Sequence, residues 1–117
     1  QYRGHCSYIF EKEFRQLLSR SIYNSKYKSN VFVLSILDCG VTPFADKRNK
    51  IAISDSINVF NQLIKTVCFE NNIKFFDITD ISREAELNSD LIAGDSLHPS
   101  GIMYKKWIDK ILNEWKI

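Results

Sequence analysis

Val31-Phe-Val-Leu-Ser-Ile36 is the segment that most narrows the fold. It is an apolar, β-branched run between a polar loop and the breakers Asp38, Gly40 and Pro43, which suits a strand covered on both faces. The segments around it have helical spacing. From about Ser7 to Tyr23, Phe10, Phe14, Leu17 and Leu18 fall on one side and Glu11, Lys12, Arg15 and Gln16 on the other. A second helix is predicted from about Arg48 to Asn71, with Ile53, Ile57, Phe60, Ile64 and Val67 as its apolar stripe. Ile73-Lys-Phe-Phe-Asp-Ile78 then reads as a second short strand, and Lys74 suits an edge. Two strands joined by a long crossover helix pair in parallel.

The connection from Thr79 to Leu97 carries one turn of helix around Ser82 to Glu86. A last helix is predicted from Pro99 to about Trp115, with Tyr104, Ile108, Ile111 and Trp115 on one face and Pro99 at a first-turn position that needs no N–H partner. The order is αβαβα. Two strands are too few for a run as apolar as Val31 to Ile36, because a two-stranded parallel sheet leaves backbone unpaired along its length. Either another polypeptide segment supplies strands or the chain pairs with a copy of itself. The first is preferred, since αβαβα is what remains when the first half of a doubly wound domain is removed. Residues 1–117 therefore read as a single partial α/β domain.

With 117 residues, 44% hydrophobic and 13% aromatic, the chain can bury one small core, and disorder is not expected. Its 16 lysines and arginines are interspersed with 14 acidic residues, and the clusters Lys26-Tyr27-Lys28 and Lys47-Arg48-Asn49-Lys50 are too small for a nucleic-acid footprint. Cys6, Cys39 and Cys68 are widely spaced without a C-x-x-C pair, so neither a disulfide framework nor a zinc site is predicted. No apolar run approaches the roughly 18 residues of a membrane span. The chain opens at Gln1 without a signal segment, and a removed leader or preceding domain leaves the compartment open.

The chemistry concentrates in Asp95-Ser-Leu-His98-Pro99-Ser-Gly. A carboxylate three residues before an imidazole, on a turn ahead of a helix, can hold one ring nitrogen and free the other to take a proton from a hydroxyl nucleophile. That is two thirds of a hydrolase triad. The plainer alternative makes Asp95 a helix-start carboxylate and His98 a turn residue before proline.

Phe76-Asp-Ile-Thr-Asp through Asp95-Ser-Leu-His98-Pro99-Ser-Gly-Ile-Met-Tyr-Lys-Lys-Trp107 resembles the last block of the SGNH/GDSL hydrolases, where D-x-x-H-P supplies two triad members before the closing helix. Val33-Leu-Ser-Ile-Leu-Asp-Cys-Gly-Val-Thr-Pro43 is similar to the strand and loop before the family's penultimate helix, and Gln1-Tyr-Arg-Gly4 to the residues directly after its G-x-N-D block. The resemblance implies the carboxyl-terminal part of a three-layer α/β/α, flavodoxin-like fold. It implies an ester hydrolase with Asp95 and His98 as catalytic residues, while the nucleophilic serine and the oxyanion glycine and asparagine lie upstream of Gln1, in a missing amino-terminal half. Asp95 would hold the tautomer of His98, and His98 would serve as general base and then general acid. Acyl or acetyl esters, small-molecule or carbohydrate, are the implied substrates, and no cofactor is implied. Gly94-Asp95-Ser96-Leu97 spells the family's nucleophile signature, but it lies inside the D-x-x-H block instead of after a first strand, so Ser96 is not taken as the nucleophile.

Other candidates are weaker. Asp38 and Asp77 at strand ends evoke a phospho-accepting domain, which needs about five strands. Cys39 as a thiol nucleophile and Tyr104 and Trp107 as a substrate platform each have a commoner structural explanation, His5 and Cys6 as metal ligands lack a third or fourth ligand at sensible spacing, and Gln1 and Tyr2 approach the site only by family analogy. A different class remains open: a non-catalytic hydrolase-like fragment that self-associates through exposed strand edges.

Overall fold

The computed structural model describes residues 4–115, with side chains from Ser7 onward. Gln1, Tyr2 and the side chains of His5 and Cys6 lie outside the described residues, and with them the readings placed there. The elements are α1 (Gly4–Ser25), β1 (Phe32–Leu34), α2 (Lys50–Glu70), β2 (Lys74–Phe76), α3 (Thr79–Arg83) and α4 (Gly101–Glu114), with short 3-10 turns between them. This is a mixed, helix-rich α/β arrangement. Its sheet is a parallel pair in which Phe32, Val33 and Leu34 face Lys74, Phe75 and Phe76.

Two compact units divide the chain. Of the described residues, those up to Ser35 together with 58–76 form the first, and 36–57 together with those from Asp77 onward the second. In the first, Leu18, Phe60, Ile64, Val67, Cys68, Ile73 and Phe76 are buried. The apolar stripe of α2 accounts for much of this core, and the Phe10 ring lies 4.5 Å from that of Phe60. Burial pushes the Cys68 thiol up to about 11, which leaves it a small apolar filler. At the end of α2, Asn72 takes the left-handed conformation (φ 57°), which asparagine tolerates, and the Ile73 N–H returns to the Cys68 carbonyl at 2.9 Å, turning the chain into β2.

β1 is shorter than the apolar run that contains it, although the ladder continues for one bond from Ser35 N to the Phe76 carbonyl (2.9 Å). Full cover on both faces is not found. Phe32 is 44% exposed, Val31, Val33 and Leu34 are half-buried, and Ser35 is the buried member of the run.

The second unit buries Ile57, Ile78, Ala85, Leu91, Met103, Trp107 and Ile111. Its last helix departs from expectation in two ways. It starts at Gly101, because Ser100 is the cap that accepts from Met103 N at 3.3 Å, while Pro99 sits in an antiparallel bridge opposite Ile92. Its buried face is Met103, Trp107 and Ile111, so of the expected stripe only Ile111 is fully inside, and Tyr104 and Ile108 are 49% and 54% exposed. The cause is an apolar arc about twice the usual width, of which the unit's own core covers one half.

Candidate active site

The segment Leu91 to Ser100 is a closed loop whose hydrogen bonds aim its side chains. Ala93 N donates to the His98 carbonyl at 2.7 Å, Ser100 N to the Leu91 carbonyl at 2.9 Å, and Ser96 N to the Ala93 carbonyl at 3.1 Å. Pro99 fits the bridge because its neighbours on either side make the ladder bonds and its missing N–H is not needed. Ser96 is left-handed, with φ 64°, an uncommon conformation for a residue with a Cβ. That twist comes directly after Asp95 and turns two successive amides toward one oxygen: Leu97 N and His98 N both donate to Asp95 Oδ1 at 2.9 Å.

Asp95 Oδ2 is thereby left for the imidazole and lies 2.5 Å from His98 Nδ1. The amide of His98 first, then its ring, then the amide of Leu97 hold the Asp95 carboxyl down at about 2, so it is ionised and can only accept. The proton of the pair therefore sits on Nδ1, and Nε2 of a neutral ring is a free acceptor. Among the described residues nothing bonds to Nε2, and the His98 side chain is 68% exposed.

Asp95 gives a direct pH expectation. A carboxyl lowered from 3.8 to about 2 adds stability that is fully present above its ordinary value and is lost as pH falls through about 2. A carboxyl-carbon chemical-shift titration of the folded protein is expected to put the Asp95 midpoint near 2, and a midpoint near 3.8 would mean that the loop does not grip it in solution.

Asp38 is buried, not presented as an acceptor: its side chain is 0% exposed, Oδ1 accepts from Gly40 N (2.8 Å), and Oδ2 from Ser54 Oγ (2.6 Å) and Arg83 Nε (2.9 Å). Asp77 Oδ1 accepts from Thr79 N, the first residue of α3, at 2.9 Å, and its carbonyl takes the Lys110 ammonium. Cys39 is half-buried and has no bond to His98. Trp107 is buried with Nε1 unpartnered among the described residues, and the Tyr104 ring stands edge-on to it at 5.1 Å. Ser96 makes no side-chain bond to His98.

Sequence reading missed Arg83, Ser54, Ser82 and the Phe44 amide. Ser82 Oγ accepts from Asp38 N at 2.9 Å, and Phe44 N donates to the Ser96 carbonyl at 3.1 Å, which docks the loop after Asp38 onto the Asp95–His98 turn. Only Asp38-x-Gly40 carried a local signal, that of a turn. Beside the turn lies a cleft of about 560 Å³ that Gly94 and Ser96 border together with Val41, Pro43, Lys50 and Glu86, while Asp95 and His98 do not line it. Among the described residues no group of three His, Cys, Asp or Glu is placed to hold a metal ion, and no helix is long and apolar enough to cross a membrane.

Comparison of the chain with protein-family models, with curated proteins and with solved structures finds no match.

Proposed function

We propose that this chain is the carboxyl-terminal half of an SGNH-type serine ester hydrolase and supplies the aspartate and histidine of its triad. The observation that carries the proposal is the Asp95–His98 pair: Nδ1 is held at 2.5 Å by an ionised carboxylate, while Nε2 has no partner among the described residues and the side chain is 68% exposed. A serine from polypeptide upstream of Gln1 approaches Nε2. His98 takes the hydroxyl proton as the oxygen attacks an ester carbonyl, and Asp95 stabilises the imidazolium. The proton passes to the departing alcohol, leaving an acyl-serine. Water, deprotonated by His98, then releases the acid and restores the serine. Small acyl or acetyl esters, including those of carbohydrates, are the substrate class.

Uncovered apolar surface supports a partial domain of the three-layer, flavodoxin-like kind. Phe32 on β1 and the stripe Tyr104, Ile108 and Leu112 on α4 belong to elements that such a domain covers with further strands, yet Leu112 is 69% exposed. The same surface favours a second reading, a non-catalytic module that buries it against a copy of itself.

Covalent trapping separates the two. A fluorophosphonate incubated with the full-length polypeptide is expected to form one adduct, on a serine upstream of Gln1 and not on Ser96. No adduct, together with a dimer in sedimentation, would replace the hydrolase by the module.

A further inference from the structure

We propose that Asp38 is a positioning residue for the Asp95–His98 pair and acts through the loop that begins with it. Its carboxylate is fully buried and accepts from Gly40 N at 2.8 Å, Ser54 Oγ at 2.6 Å and Arg83 Nε at 2.9 Å. Its own N–H is fixed as well, by Ser82 Oγ at 2.9 Å, and that hydroxyl donates onward to the Thr79 carbonyl at 2.5 Å. One side chain thus ties together its own loop, the first turns of α2 and the last residue of α3.

From this knot the loop runs through contacts that leave it little freedom. Thr42 is buried, and both its N–H (3.2 Å) and its hydroxyl (2.7 Å) bond to the Cys39 carbonyl. Ala45 is fully buried, and its N–H returns to the Thr42 carbonyl at 3.0 Å. Between them Phe44 N donates to the Ser96 carbonyl at 3.1 Å. Ser96 is the left-handed residue (φ 64°) on which the convergence of the Leu97 and His98 amides upon Asp95 Oδ1 depends. Such a conformation costs about 1–3 kcal/mol and persists where its surroundings impose it. A bond to the carbonyl of that residue, from a loop pinned at both ends, is such an imposition. Asp38 touches neither ring nor substrate; it fixes the frame against which the histidine is aimed.

The test uses Asp38→Asn, which keeps the side chain's shape and an oxygen for the Gly40 amide but removes the charge facing Arg83, and Ser54→Ala, which removes one donor. Three readouts apply: the His98 tautomer from imidazole nitrogen shifts, hydrogen exchange at the Phe44 amide, and kcat and KM for a short-chain aryl ester with the full-length polypeptide. In the parent His98 is held with the proton on Nδ1. In folded Asp38→Asn the tautomers mix and the Phe44 amide exchanges about tenfold faster or more, as a loosened local unit does. Turnover falls roughly 10- to 100-fold while KM stays within about twofold, the signature of misaim and not of lost binding. A folded variant with the parent's tautomer and Phe44 protection overturns the proposal. Should Asp38→Asn not fold, Ser54→Ala decides by the same two spectroscopic readouts. The kinetic arm alone rests on the hydrolase reading: altered tautomer and exchange in a polypeptide that turns over no ester would sink that reading and leave the positioning role standing.

Discussion

Replacing His98 with alanine is expected to lower ester turnover by the full-length polypeptide by about 10⁴-fold or more, the loss expected on removal of a triad histidine. KM should hardly move, because the imidazole acts on the proton in flight and not on the bound ester. Stability should also hardly move. The His98 side chain is 68% exposed and among the described residues bonds to Asp95 alone, so its truncation resembles a surface substitution, worth about 0.5 kcal/mol or less. Asp95→Asn is the informative companion. Its carbonyl oxygen can still take the Leu97 and His98 amides, so the loop keeps its path. The group left facing Nδ1 is then an amide donor that no longer selects the productive tautomer, for which about 10⁴-fold in kcat is the expected cost. A loss of rate at unchanged melting temperature marks a chemical role, whereas unchanged turnover in His98→Ala would remove the hydrolase reading altogether. Since Asp95 is held at about 2, any acid limb of the rate between about pH 5 and 8 belongs to another group.

Local spacing encodes the parts of the fold that were legible in the sequence. The stripe Ile53, Ile57, Phe60, Ile64 and Val67 is spaced four and three residues apart on α2; Ile53 is half-buried and the other four are buried. The D-x-x-H spacing likewise put Asp95 and His98 on one turn, where their side chains meet at 2.5 Å. The register of α4 was not legible for an opposite reason. Met103, Trp107 and Ile111 and the adjacent Tyr104, Ile108 and Leu112 are both apolar stripes at helical spacing, and periodicity cannot choose between them; the first of them is the one buried in the core of its unit. The start of α4 turned on Ser100 being a better cap than Pro99 is a first residue once Pro99 has a bridge to occupy. Asp38 was recognisable as a strand-end carboxylate, but Arg83, 45 residues later, is brought to it by the fold, and no local pattern announces such a pair. The backbone twist at Ser96 was equally hidden, because serine is not a residue whose presence signals a positive φ.

Gly40→Ala and Gly94→Ala should separate widely in stability, though both glycines sit in loops of the same unit. A methyl at Gly40 would lie 2.8 Å from Asp38 Oδ1, 3.0 Å from Ser54 Oγ and 3.1 Å from the Lys50 carbonyl. Neither of the first two atoms can withdraw without giving up a bond to the buried carboxylate, and the third is backbone in the first turn of α2. Overpacking and a disrupted buried ion pair act together there, so a loss of about 3 kcal/mol is expected, a fall of roughly 10 °C or more in melting temperature. At Gly94 nothing lies within 4 Å of the added carbon, and no described glycine has a positive φ. Alanine there restricts the unfolded chain without straining the native one, so stability should hold or rise by up to about 1 kcal/mol. Thermal melts of the two variants beside the parent measure the difference. A comparable loss in both would mean that the Asp38 knot is slack enough to admit a methyl group, and a knot that slack could not hold the Phe44 amide against the turn that carries His98.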